Sequence, residues 1–395
     1  MLPFNQKKET MSFVFNTTKS IVNAPNSAAE LGQYCQTLKI KNVLLVTDPG
    51  IVQLGLHQKI ITNLENCPID VVLFSQVEVD PPIAVIEKAL LFAKQNKIDG
   101  VIGLGGGSSL DTAKLIAALT YSEQSISDAF GIDKLTQPRL PLIQIPTTAG
   151  TGSEVTPISI VTTGEAIKTG IVSPLLLPDV ALLDATLTVN LPAHITAATG
   201  IDAMVHAIEA YTSRIKKNIY SDMLAVQALK LMSQSIKTAV HQGHDLEARS
   251  NMMLGATLAG QAFANAPVAA VHALAYPLGG QFHIPHGLSN SLVLPHVLRF
   301  NKPAAAQLYA ELADIILPEV CSNLASDDDK TDAFIDYLEN LIIEVGLPNT
   351  LTSVGIDRGS LDSLTKDALK QERLLVNNPK PMNEADILGI YQAAF

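Results

Sequence analysis

The chain has 395 residues, 47% of them hydrophobic and 16% charged, which is apolar mass for more than one folded core and excludes a disordered protein. Lys and Arg number 27 against 38 Asp and Glu, a net charge of −11 with no basic run, so nucleic acid is not an expected partner. Cys35, Cys67 and Cys321 form no C-x-x-C pair, no apolar run reaches the roughly 18 residues of a membrane span, and MLPFNQKKETMSF has no signal-like apolar core; a cytoplasmic setting is expected.

In chain order, short β-branched runs alternate with amphipathic stretches. Residues 43–47, 71–74, 101–104 and 142–145 are predicted as buried parallel strands, with helices over 51–66, 82–96 and 108–120 between them. This alternation points to a Rossmann-like, doubly wound parallel α/β sheet. Residues 159–163 and 167–173 flank TGEA and are predicted as a hairpin at the sheet's edge, with 180–184 as a last strand. From Leu191 on, apolar residues recur at three and four, and helices are predicted over 191–212, 219–241, 246–265, 269–280, 304–316 and 330–346. The expected organisation is therefore an α/β domain over 1–190 and an all-helical domain over 191–395, with a ligand cleft between them. The acidic run SDDDK (326–330) reads as a solvated loop.

Two loops in the first half are suited to anions. VIGLGGGSSLDTAK (101–114) is a strand, three glycines and a helix start, where backbone N–H groups attract phosphate; a plain tight turn would need only one glycine. IPTTAGTGSEVTP (145–157) follows the next strand and offers hydroxyls and free N–H groups, as a surface loop also would. Asp48, in VTDPG, fits either a helix N-cap or an acceptor for a ribose diol, the latter favouring NAD over NADP.

GIDAMVHAIEAY (200–211) is an apolar helix apart from Asp202 and His206, four residues apart on one face. A buried carboxylate needs a partner. Downstream lie His272, His283 and His286; any one alone is readily a core or loop histidine. Two of them joined to Asp202 and His206 would make an Asp-His-His-His set, whose oxygen and nitrogen donors suit Fe(II) or Zn(II).

GGGSSLDTAK, PTTAGTGSEVTP, ATGIDAMVHAIEAY, FHIPHGLSN and NNPKPM (377–382), in that order, resemble the iron-containing (group III) alcohol dehydrogenases, over residues 43 to about 382. The resemblance implies the dehydroquinate synthase-like fold, with nicotinamide and metal meeting in the cleft. It implies metal ligands Asp202, His206, His272 and His286, with Fe(II) ahead of Zn(II). It implies pyrophosphate at Gly106, Gly107 and Ser108 with Asp111 nearby. Thr147, Thr148, Thr151 and Ser153 fall on a second cofactor loop, Lys168 beside the cofactor with Leu187 packing by it, and Phe263 near the substrate. Asp48 falls where aspartate accompanies NAD. Where relatives often carry a second histidine, this chain has Tyr276; Tyr276 and His283 are the proton-relay candidates beside His286.

The activity implied is NAD-dependent interconversion of a primary alcohol and its aldehyde by hydride transfer, with the metal as Lewis acid. The substrate is a small molecule, and the family implies a homodimer or larger oligomer. Competing readings are a polyol or glycerol-type dehydrogenase of the same fold, which would normally use zinc, and a dehydroquinate-synthase-like enzyme. The second requires Lys and Arg clustered near the proposed ligands, where almost none occur. A non-catalytic nucleotide- and metal-binding protein is a further alternative.

Overall fold

The computed structural model of the chain describes residues 12–164 and 167–395. Residues 1–11, most of the stretch read as lacking a signal core, and positions 165–166 of the TGEA turn lie outside it.

The strands are β1 (Ser20–Asn23), β2 (Asn42–Val46), β3 (Asp70–Phe74), β4 (Gly100–Gly105), β5 (Gly131–Ile132), β6 (Leu142–Pro146), β7 (Ile158–Thr163), β8 (Ile167–Val172) and β9 (Val180–Leu183). Six of them form one all-parallel sheet in the order β1-β9-β6-β4-β2-β3. The helices α1 (Leu31–Thr37), α2 (Pro49–Gln53), α3 (Leu56–Glu65), α4 (Ile83–Gln95) and α5 (Gly107–Leu119) cover it. Successive residues of a strand serve opposite faces: Leu45 packs with Leu31, Ile60 and Leu64, whereas Leu44 packs with Phe74, Ala89 and Ile116. Both faces are thus buried, which is why these strands read as continuous apolar runs.

Two expectations for this half are corrected. The hairpin β7–β8 is not at the edge of the main sheet; it joins β5 in a separate three-stranded sheet. The edge beside β9 is taken by β1, whose four mostly exposed residues carry little apolar signal. The single helix expected over 51–66 is two, broken at Gly55, which takes the left-handed region at φ 70°.

The second half comprises α6 (Ala193–Thr212), α7 (Ile219–His241), α8 (Leu246–Asn265), α9 (Ala270–Phe282), α10 (His286–Ile316), α11 (Pro318–Cys321), α12 (Asp327–Glu344), α13 (Leu361–Leu369), α14 (Glu372–Leu375) and α15 (Glu384–Ala393). One apolar core, including Ile201, Met204, Ile208, Met232, Leu274 and Leu298, unites them. The SDDDK run is not a loop. Ser326 caps α12 by accepting from Asp329 N–H, and Asp327–Asp329 occupy its first turn, where the helix dipole favours negative charge. Helix α10 begins at His286 and runs through Pro295 and Pro303, rather than starting near 304 after a turn. Packing against α6 and α12 holds it despite the hydrogen bonds those prolines remove. Beyond residue 346, where no element is expected, α13 and α14 pack on α9.

Helix α8 joins the two halves. Thr257 Oγ1 donates to Glu154 Oε1 at 2.7 Å, Gln261 Nε2 to Thr17 Oγ1 at 2.7 Å, and Asn265 Nδ2 to the Asn16 carbonyl at 2.9 Å.

Asp179, 7% exposed, closes the lower end of the sheet. It accepts from Lys19 Nζ and Arg139 Nη1, each at 2.5 Å, and from Leu142 N–H at 3.0 Å. Burial raises its pKa, but the hydrogen bonds from Arg139 and Lys19 outweigh that and hold the carboxyl below the usual range. Such a group stabilises the fold fully above about pH 4 and loses that contribution as pH falls through its folded-state value. Asp179→Asn is expected to cost about 3 kcal/mol at pH 7 in urea unfolding. The gap from the parent should narrow as the pH is lowered through the acid range.

Candidate metal and nucleotide site

GIDAMVHAIEAY lies entirely within α6. Its apolar residues enter the core, and the four-residue spacing aims Asp202 and His206, 2% and 5% exposed, the same way. His272 comes from the first turn of α9, and His286 is the first residue of α10, which opens on Pro285. The start of α10 lies tight on α6: a Cβ added to Gly287 would stand 2.2 Å from the Ala198 carbonyl oxygen. Only glycine lets the two helices approach this closely, and the approach carries His286 to Asp202.

One donor atom from each of Asp202, His206, His272 and His286 lies within 4.8 Å of all the others. Asp202 Oδ1 is 3.9 Å from His206 Nε2, 3.8 Å from His272 Nε2 and 3.5 Å from His286 Nε2. Burial opposes the Asp202 charge, but the three histidines and Asn290 outweigh it, and the carboxyl falls below its ordinary value. Burial lowers His206 to about 4 and His286 to about 3, so both imidazoles are neutral at physiological pH with lone pairs to offer. A carboxylate oxygen and three imidazole nitrogens converging on one point fit a divalent transition ion. His283, by contrast, is exposed at the C-terminal end of α9, in the left-handed region at φ 55°, outside the four.

Two residues that sequence reasoning missed complete the shell. Asn290, one turn into α10, donates from Nδ2 to Asp202 Oδ1 at 2.6 Å, and that nitrogen lies 3.3 Å from His272 Nε2 and 3.4 Å from His286 Nε2. Its own Oδ1 is buried without a partner, a polar atom the folded chain leaves unsatisfied beside the four donors. Glu209 accepts from His272 Nδ1 at 2.6 Å, Ala269 N–H at 2.9 Å and Val271 N–H at 2.7 Å. The signal for Glu209 was present in the helix itself, since 202, 206 and 209 follow the spacing of one face.

Aromatic rings wall the cluster. Phe263 stacks on His206 with centroids 4.3 Å apart, and Tyr276 lies edge-tilted 5.8 Å from His286. Burial pushes the Tyr276 phenol above its ordinary value, so it is a proton donor at neutral pH.

The glycine-rich turn joins β4 to α5. Gly105 has φ 145°, and an added Cβ would meet Ser109 at 2.8 Å and Asp48 Oδ2 at 3.0 Å. Helix α5 opens on Gly106 with no capping side chain, so its first N–H groups suit an anion. Ser108 Oγ accepts from Asp80 N–H, and Lys168 donates to Asp80 Oδ1 at 2.8 Å. Asp48 caps α2 through Ile51 N–H and also accepts from Ser109 Oγ at 3.0 Å, which seats its charge beside the glycine turn.

Asp111 and Ser153 bond each other at 2.5 Å, and Asp111 Oδ2 accepts from Ile160 N–H. These two side chains therefore tie the first loop to the second. The fully buried Lys114 reinforces the tie, donating to Thr156 Oγ1 and the Ile158 carbonyl. Thr147 is buried beneath the turn, its N–H on the Gly105 carbonyl, while Thr148 and Thr151 approach Gly106 and Gly107. Leu187 sits in the core beneath the main sheet, whereas Lys168 belongs to the smaller sheet. The second loop also meets the helix that carries Asp202 and His206: a Cβ on Gly150 would lie 2.8 Å from Thr199 Cβ, three residues before Asp202.

Among the described residues no helix is long and apolar enough to cross a membrane. Residues 18–185 match the family described as iron-containing alcohol dehydrogenase, and residues 196–395 match the Fe-containing alcohol dehydrogenase family, C-terminal. The chain is 45% identical to long-chain-alcohol dehydrogenase 1 of Geobacillus thermodenitrificans, across 91% of this chain and 90% of that enzyme. The crystal structure of a 1,3-propanediol oxidoreductase superposes with a TM-score of 0.94 at 34% identity, covering 97% of this chain and all of that one. A sulfoacetaldehyde reductase of Bifidobacterium kashiwanohense, solved in complex with NAD+, superposes with a TM-score of 0.87 at 29% identity over 98% and 99% of the two chains. The matches span both halves of the molecule, and the chain belongs to the iron-containing alcohol dehydrogenase family.

Proposed function

We propose that this NAD-linked alcohol dehydrogenase interconverts a primary alcohol and its aldehyde, with Fe(II) held by Asp202, His206, His272 and His286. The observation that carries the reading is the convergence of those four donors within 4.8 Å, on the helix that the second nucleotide loop touches. The similarity to a long-chain-alcohol dehydrogenase supports an alcohol as substrate. All three cysteines are free, which supports a reducing, cytoplasmic setting.

A divalent ion bound there supplies Lewis acidity toward an alcohol oxygen. The chain's own groups do the rest. The N–H groups opening α5, with Gly106, Gly107 and Ser108, take the cofactor pyrophosphate. Thr148 and Thr151 line the second side of that loop, and Lys168 stands toward the nicotinamide end. Asp48, already bonded to Ser109, receives the ribose diol and repels a 2′-phosphate. Phe263 bounds the substrate space beside His206 and excludes water from it. The nearness of the Tyr276 ring to His286 and its protonated phenol support Tyr276 as the proton relay ahead of the exposed His283.

Three outcomes test this. Protein stripped with a chelator should lose NADH formation from a panel of linear primary alcohols and regain it with Fe(II) or Zn(II); failure of both ions to restore it refutes the reading. His206→Ala should lose metal retention and about a thousand-fold or more in kcat/KM, with NAD binding by calorimetry intact. Normal metal content in that variant means the site is misassigned. Asp48→Ser keeps a capping oxygen but removes the charge, and is expected to narrow the NAD-over-NADP preference in kcat/KM about ten-fold.

A further inference from the structure

The backbone leading into α9 is held from outside. Helix α9 has no capping side chain of its own: its N-cap is Ala269. Ser213 Oγ donates to the Pro267 carbonyl at 2.8 Å, and Asn377 Nδ2 to the Val268 carbonyl at 3.0 Å. Two of the N–H groups that the helix start leaves without an intrahelical partner go to one carboxylate on another helix. Glu209, 3% exposed, takes Ala269 N–H on Oε2 and Val271 N–H on Oε1. Its Oε2 also takes His272 Nδ1 at 2.6 Å. A carboxylate whose two oxygens each take a backbone N–H offers that ring only an acceptor, so the geometry puts the ring proton on Nδ1. Nε2 is then bare and faces Asp202 Oδ1 at 3.8 Å, among the other donors.

We propose that Glu209 is the positioning residue of the metal centre: by capping α9 and bonding His272 at once, it fixes that ligand's tautomer and orientation. This rests on reading the four donors as the metal site. The carboxylate both selects the tautomer and raises the basicity of Nε2, the role that outer-shell carboxylates play behind metal-bound histidines. Because the same two oxygens fix the first turn of α9, the ring cannot drift relative to α6 without breaking the cap. The His206–Glu209 spacing of three residues means that one helix supplies two ligands and the support of a third.

The test compares the parent, Glu209→Gln and Ser213→Ala. The amide offers one acceptor against three donors, so in either orientation it confronts an N–H with another N–H, and it carries no charge. Ser213→Ala loosens the same segment without touching His272. Zn(II) affinity is measured by chelator competition, and the visible absorption of Co(II)-loaded protein reports the ligand set. Glu209→Gln is expected to bind Zn(II) about 10- to 100-fold more weakly and to shift the Co(II) bands. Ser213→Ala should lower thermal stability yet hold the metal as the parent does. Equal affinity in the parent and Glu209→Gln, or equal losses in both variants, overturns the proposal. A parent that binds no ion at these donors instead overturns the metal-site reading.

Should Glu209→Gln not fold, the unmutated chain still decides. Nitrogen-15 NMR of the metal-free, histidine-labelled protein, with His272 assigned by its loss in His272→Gln, should show the proton on Nδ1. A proton on Nε2 overturns the proposal.

Discussion

Asp202 is an ionised carboxylate with 2% exposure in the middle of an apolar helix, and the helical half is arranged around satisfying it. Its charge cannot be answered from its own helix alone, because one turn on α6 supplies only His206. The remaining partners come from α9 and α10, so those helices must meet α6 closely. The contact of Gly287 with the Ala198 carbonyl and the stacking of His206 on His272 are the local expressions of that requirement. Packing and charge thus specify the same arrangement.

The nucleotide half obeys a different constraint. A phosphate-binding turn must leave backbone N–H groups free, so it cannot rigidify itself through them. Rigidity comes from beneath and beside it. Asp111, Lys114 and Ser153 spend their polar groups on joining the two loops, and Glu154 carries the connection to Thr257 in the helical half. Burial alone lowers the Lys114 pKa and raises that of Glu154, and their mutual attraction opposes both shifts. Asp111, Lys114 and Ser153 thus form the frame that holds the two loops together beside the glycine turn.

How much of this was legible in the sequence follows from where each signal resides. The parallel strands and the amphipathic helices carry their periodicity locally, and the ligand pair on α6 announces itself by cost: polar residues where apolar ones pack. Residues His272 and His286 were findable because histidine is scarce and the motifs around them are specific. Strand β1 was not, since its pairing with β9 lies about 160 positions away and its own residues are exposed. The N-terminal half of α10 was hidden by Pro295 and Pro303, which local propensity treats as breaks and tertiary packing overrides. Asn290 and Glu209 escaped for another reason. An amide or carboxylate on a helix is usually solvated, and only the folded structure shows that both are buried against Asp202 and His272.

The charge of the assembled centre explains why these six residues form one unit. Asp202 is ionised, Glu209 accepts three N–H bonds, and His206 and His286 are held neutral by burial. Glu209 holds His272 through Nδ1, and Asp202 lies among the three rings with Asn290 donating to it. Protonating His206 or His286 would offset the Asp202 charge, but burial opposes it by lowering both pKa values. On the proposed reading, a dipositive ion would answer the Asp202 charge without a proton, and the Asp202 oxygen and the three rings would hold it. The same desolvation that makes the helix costly to build therefore opposes protonation of His206 and His286 near neutral pH.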